Sequence, residues 1–131
     1  MLGDANIIAV LAVKDLDEAK SFYGDKLGLR EVKEGDESGG VTEGGVTYQA
    51  GQTQIFVYTS GFAGSNKATA AACKVDDLEK VVADLKSKGV QFEHYDMPDV
   101  KMEGDIHVLE HERVAWAKDP SGNLIAINSK R

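Results

Sequence analysis

The feature that most constrains this chain is that it resembles itself. Val13-Lys14-Asp15-Leu16-Asp17-Glu18 is similar to Val75-Asp76-Asp77-Leu78-Glu79-Lys80, a shift of 62 residues, and the later glycines Gly28 and Gly89 lie 61 apart. Both copies follow a short apolar run, Ile7 to Val13 and Thr69 to Val75, and both lead through an amphipathic stretch to the glycine. A missed repeat misreads a whole fold. Here it divides the chain into two related halves of about sixty residues, separated by one insertion or deletion.

Each half reads as strand, helix, then further strands. Leu78, Val81, Val82 and Leu85 recur at the spacing of one helix face, and Leu16, Ala19, Phe22, Tyr23 and Leu27 form the equivalent side of the first helix. Asp15 with Glu18, and Asp76 with Glu79, are placed to cap the first turns, while Gly28 and Gly89 suit the left-handed position after a helix. Alternation and β-branching predict strands at about 29–33, 46–50, 53–59, 91–95, 113–117 and 123–128. The run Asp119-Pro120-Ser121-Gly122-Asn123 is a turn, with proline presetting one φ and glycine supplying a positive one. Gly35 to Gly45 is a glycine-rich hairpin loop; without a strand-to-helix context or a GK[ST] ending it is no phosphate cradle.

Composition bounds the partners. The chain has 131 residues, 42% of them hydrophobic, enough for one domain with its own core. Twenty-two acidic against fifteen basic residues give a net charge of −7, which argues against a nucleic-acid surface. No stretch has the ~18 apolar residues of a membrane span, and the first residues carry no secretory pattern, so the expected location is the cytoplasm. The lone cysteine, Cys73, excludes an intrachain disulfide or a Cys-cluster zinc site and falls on the face expected to be core.

The motifs resemble those of the vicinal oxygen chelate superfamily, which includes glyoxalase I, the extradiol dioxygenases and the bleomycin-resistance proteins. The residues that carry the likeness are Ala12-Val13-Lys14-Asp15-Leu16, Phe22-Tyr23-Gly24-Asp25-Lys26-Leu27-Gly28-Leu29, Val75-Asp76-Asp77-Leu78, Lys88-Gly89-Val90 and Ala115-Trp116-Ala117-Lys118-Asp119-Pro120-Ser121-Gly122-Asn123. The resemblance implies an α+β fold in which two tandem βαβββ modules form a curved mixed sheet around a groove, with the helices outside. On this reading residues 1–131 are one domain, with module one at about 5–60, a linker at about 60–68 and module two at about 69–129. It implies a homodimer, and leaves open whether the modules pair within one chain or across two.

Metal enzymes of that superfamily are implied to take one carboxylate, imidazole or amide ligand from each of four strands. The corresponding positions here are Ile8, Phe56, Ala70 and Ala126, and a one-residue slip meets Ile7, Ala9, Ala71 and Ile127, none of which can coordinate a cation. No metal and no cofactor are therefore expected. His107-Val108-Leu109-Glu110-His111 matches the inverted zinc-protease motif, which works on a helix; this segment is expected to be an exposed loop entering a strand. His94, beside Glu93 and Tyr95, is expected at the surface or groove edge, with a general-base role left open.

Alternation along the strands places Ile8, Val10, Gln54, Phe56, Tyr58, Ala70, Ala72 and Ala126 in the groove, joined by Tyr48 and Trp116 from adjoining strands. That lining suits an apolar or aromatic small molecule, with acidity favouring a cationic one. The expected function is metal-independent small-molecule binding. The alternatives are a lyase, isomerase or dioxygenase with a non-standard site drawn from Gln54, Tyr58, His94 or the His107–Glu112 segment, and an accessory dimeric module without a ligand.

Overall fold

A computed structural model describes residues 2–33 and 44–131 of the chain. The glycine-rich segment expected to be a hairpin loop falls, apart from Gly44 and Gly45, outside the described residues. Ten strands and two helices follow in the order β1 (Ala9–Val13), α1 (Leu16–Lys20), β2 (Arg30–Val32), β3 (Gly45–Ala50), β4 (Thr53–Thr59), β5 (Thr69–Lys74), α2 (Leu78–Ser87), β6 (Gln91–Glu93), β7 (Lys101–Glu103), β8 (Ile106–Val108), β9 (Glu112–Lys118) and β10 (Leu124–Lys130). α1 runs on into a π-helical turn, Ser21–Lys26.

The repeat reappears in the strand pairing. In the first sheet the order is β1-β4-β3-β2, with β1 parallel to β4 and the other pairs antiparallel. In the second, β5 lies parallel to β10, which pairs antiparallel with β9, which in turn pairs with β6. This is the same order with the second half's strands substituted. The addition is the β7–β8 hairpin, which pairs onto the start of β9 and which periodicity did not foresee because each strand is only three residues long.

Local chemistry explains the repeated units. Asp15 accepts from the Glu18 N–H and Asp77 from the Lys80 N–H, both at 3.1 Å, so the second cap is Asp77 rather than the expected Asp76. Gly28 and Gly89 close the two helical stretches at φ 77° and 85°, where a side chain would be strained. Leu78, Val82 and Leu85 of the second helix then bury one face in a core with Leu11, Val13, Val57, Ala115, Ala117, Ile125 and Ile127. Phe22 and Tyr23 join the same core from the first half, so the two modules share it within one chain.

A polar junction sits at the edge of that core. The Asp119 carboxylate, on a residue 3% exposed, accepts from the Tyr23 hydroxyl at 2.7 Å, the Ser121 N–H at 2.9 Å, and the Asn123 backbone and side chain at 2.7 and 2.8 Å. Asn123 Nδ2 also donates to Ala12 O, and the Lys14 N–H donates to Ser121 Oγ, both at 2.8 Å. Burial, and then the Asp119 charge, push the Tyr23 phenol far above its ordinary range, so it stays a donor. Removing the carboxylate strands several buried donors: Asp119→Ala should cost about 3–5 kcal/mol in urea unfolding, and Tyr23→Phe about 1.5–3 kcal/mol.

One sequence expectation about the core is corrected. Cys73 is exposed. It shares a face with Ile127, its partner across the ladder, but β5 is the outer strand of its sheet, where a side chain has a neighbouring strand on one side only.

Candidate functional site

Residues paired directly across a ladder share a face, so the registers sort the site residues without ambiguity. In the first sheet Leu11 and Val57 are partners facing the helices, and Val46 joins them. The opposite face, open at Val10 but buried at Thr47 and Val32, therefore carries the row Val10, Phe56, Thr47 and Val32, and beside it Ala12 with Tyr58. In the second sheet Ile125 and Ala117 face the helices. Its open face carries Ala72, Ala126, Trp116 and Glu93 in one row, and Lys74, Asn128, Val114 and His107 in the next.

Most of the expected groove residues lie on these open faces. Val10 is 55% exposed despite its apolar side chain. The Phe56 and Tyr58 rings stack with centroids 6.1 Å apart and planes 8° from parallel. Gly45 permits this, because a Cβ there would lie 2.9 Å from the Phe56 ring and 2.2 Å from Val57 O. Gln54 donates to Gln49 Oε1 at 3.0 Å, and with Ile8 they line a cavity of about 500 Å³ at the end of β1. Ala126 is buried, while Ala70 is partly buried and touches the core cluster as well.

Tyr48 is the exception. It pairs with Ile55, lies 2% exposed in the core, and packs against the Tyr23 ring at 6.2 Å. The error has a simple cause: Tyr48 is adjacent in sequence to Thr47, the β3 residue that does occupy the open face, and one step along a strand reverses the side chain.

The His107–Glu112 segment is also corrected. His107 is not on an exposed loop; it lies in β8 and is completely buried. Its Nε2 accepts from the Tyr95 N–H at 2.9 Å, which leaves Nδ1 protonated and donating to Val114 O at 3.2 Å. The ring is edge-on to Trp116 at 4.7 Å, and Trp116 is edge-on to Tyr95 at 5.1 Å. His111 and Glu110, by contrast, are exposed on the turn beyond, so the motif's two imidazoles do not share a site. An alternating strand cannot present them as a helix would. Trp116 is oriented further by its Nε1–H, which donates to Thr69 Oγ1 at 3.0 Å.

His94 lies beside this aromatic cluster, its side chain 55% exposed. Its Nε2 is 2.6 Å from Asp105, which also pairs with Lys86 at 2.8 Å. Those partners, Lys86 first, hold the Asp105 carboxyl below its usual range. Asn128 Oδ1, on the same face, is buried with no hydrogen-bond partner among the described residues. Sequence reasoning identified neither Asp105 nor the His107 contacts, because the β7–β8 hairpin brings them in.

Ile8, Phe56, Ala70 and Ala126 carry only hydrocarbon, and among the described residues no group of three or more His, Cys, Asp or Glu side chains could hold an ion.

These two open faces, backed by helices and repeated from one half of the chain to the other, define the duplicated module fold that the motifs resemble. The sequence profile of the Glyoxalase/Bleomycin resistance protein/Dioxygenase superfamily matches residues 6–127, and the chain belongs to that superfamily. Its structure is similar to lactoylglutathione lyase from Agrobacterium tumefaciens, with TM-score 0.67 and 17% identity over 96% of this chain and 93% of that one. It is also similar to a fosfomycin resistance protein from Listeria monocytogenes, with TM-score 0.69 and 12% identity over 96% and 90%. A glyoxalase family protein from Enterococcus faecalis gives TM-score 0.68 and 17% identity over 98% and 99%. At such identities the likeness shows the fold alone. No curated protein matches the chain. No helix among the described residues is long and apolar enough to cross a membrane.

Burial holds His107 below its ordinary pKa near 6.5. The unfolded chain takes up that proton first as pH falls, so this contribution to stability is present above about pH 6.5 and shrinks below it. Between about pH 7 and pH 5 the wild type should lose stability more steeply than His107→Phe, measured by urea unfolding. Parallel curves would show that His107 protonates freely in the fold.

Proposed function

We propose that the protein binds a small apolar or aromatic molecule on its open face without a metal ion. The observation that supports this reading is that Ile8, Phe56, Ala70 and Ala126, the positions the resemblance implies for ligands, carry only hydrocarbon, with aromatic rings at Phe56, Tyr58, Tyr95 and Trp116. Polar groups on the same faces, among them Gln54, Lys74 and Asn128, are placed to orient a guest whose affinity comes from apolar burial. Such surfaces, with Ile7 and Val10 exposed and β1 and β5 at sheet edges, also fit a homodimer.

Calorimetry with a panel of neutral aromatic compounds tests the reading. Binding should persist at full affinity in excess chelator, and elemental analysis of untagged protein should find less than stoichiometric Zn, Ni, Mn or Fe. Phe56→Ala should weaken a bicyclic aromatic ligand by about tenfold, the loss of roughly 1.4 kcal/mol of contact. A stoichiometric metal whose removal abolishes binding would overturn the proposal.

A second reading, an enzyme of non-standard chemistry, is favoured by one observation: the exposed His94 imidazole held by Asp105 at 2.6 Å beside Tyr95 and His107. A histidine so oriented can take a proton from a bound molecule. Turnover of any compound that binds, abolished by His94→Gln with affinity unchanged, would establish it.

A further inference from the structure

The open face of the second sheet does not end at its aromatic residues. Beyond Tyr95 lies a cleft of about 490 Å³ where the segment joining the two halves meets the Asp119–Asn123 turn. Lys14, Lys67 and Lys118 all line it, and among the described residues Glu93 is the one acidic group in its wall. The local formal charge is therefore +2 in a chain whose net charge is −7.

Three elements distant in sequence bring these cations together. Lys14 follows β1 and is fixed by its N–H bond to Ser121 Oγ at 2.8 Å. Lys118 ends β9, on the same open face as Trp116. Lys67 comes from the joining segment, which approaches so closely at Gly64 that a Cβ there would lie 2.7 Å from Ser121 O and 3.5 Å from the Lys14 side chain. Gly64 has φ +80°, so both its conformation and its space favour glycine. Lys118 is paired with Glu93 at 3.1 Å; among the described residues Lys14 and Lys67 have no carboxylate partner.

Three lysines against one carboxylate leave the lining of this cleft with an excess of positive charge, which attracts an anion. At contact distance these charges outweigh the overall acidity, which is spread over the surface and screened beyond about 8 Å at physiological salt. The guest's charge is thus opposite to the one net charge alone favours.

We propose that this cleft receives the oxyanion of an aromatic or apolar small molecule, a carboxylate or phosphoryl group held by Lys14, Lys67 and Lys118, with the body of the molecule on Tyr95 and Trp116. The inference rests on the small-molecule reading above and adds the chemical class of the ligand. Glu93 is the restraining element: it holds Lys118 and repels the incoming anion.

The test compares 2-naphthyl phosphate with neutral 2-naphthol by calorimetry, with inorganic phosphate as a third probe. The phosphate ester should bind at least about tenfold more tightly than the alcohol, and its advantage should shrink with added salt. Lys14→Gln and Lys67→Gln should each weaken the ester about threefold and their combination about tenfold, leaving the alcohol unaffected. Glu93→Gln should tighten the ester about threefold, a gain that a merely structural role would not produce. The indole N–H resonance of Trp116, the chain's single tryptophan, should shift with either naphthyl compound. Equal affinity for ester and alcohol, or lysine variants that bind the ester normally, would overturn the lysine cleft and leave the aromatic face standing. Binding of neither naphthyl compound would overturn both.

Discussion

Asp119 is a buried carboxylate that receives hydrogen bonds from both halves of the chain. Its burial is tolerable only because every approach to it is a donor. The Tyr23 hydroxyl arrives from the first half, and the turn's own N–H groups and Asn123 complete the set. From this point the geometry propagates. Asn123 and Ser121 bind the end of β1 at Ala12 and Lys14, and the turn sets where β10 begins. The register of β10 places Ala126 beside Trp116, so the open face inherits its order from one junction.

The two open faces differ in character. The first carries Val10, Phe56 and Tyr58, with glutamines at one end. The second carries an aromatic wall stiffened by His107, whose two ring nitrogens are both engaged by backbone groups. A neutral histidine so held is a packing group with fixed polarity, not a metal ligand waiting for an ion. Ile8, Phe56, Ala70 and Ala126 carry only hydrocarbon, and polar groups gather at His94 and at the lysine cleft.

What was legible in the sequence was periodic. Two copies of one motif announced two modules, and the spacing of Leu78, Val82 and Leu85, or of Leu11 and Val13, identified core faces because burial follows the helix and strand repeats. Three residues escaped for three physical reasons. Cys73 has the right face but belongs to an outer strand, and sheet order is not a local property. Tyr48 is aromatic like its groove neighbours, but strand parity rather than side-chain type decides which face it takes. His107 was expected in a loop entering the β9 strand, and only the short β7–β8 hairpin makes it a strand residue.

By itself the sequence determined the duplicated architecture, the superfamily likeness and the absence of ligating atoms at four positions, since each is a matter of residue type at a fixed spacing. Tertiary structure alone decided which polar groups meet. Asp105 reaches His94, Asp119 reaches Tyr23, and Lys14, Lys67 and Lys118 converge on one cleft across separations that no local pattern records. Electrostatic interactions depend on distance in space, whereas periodicity reports only which way a side chain points.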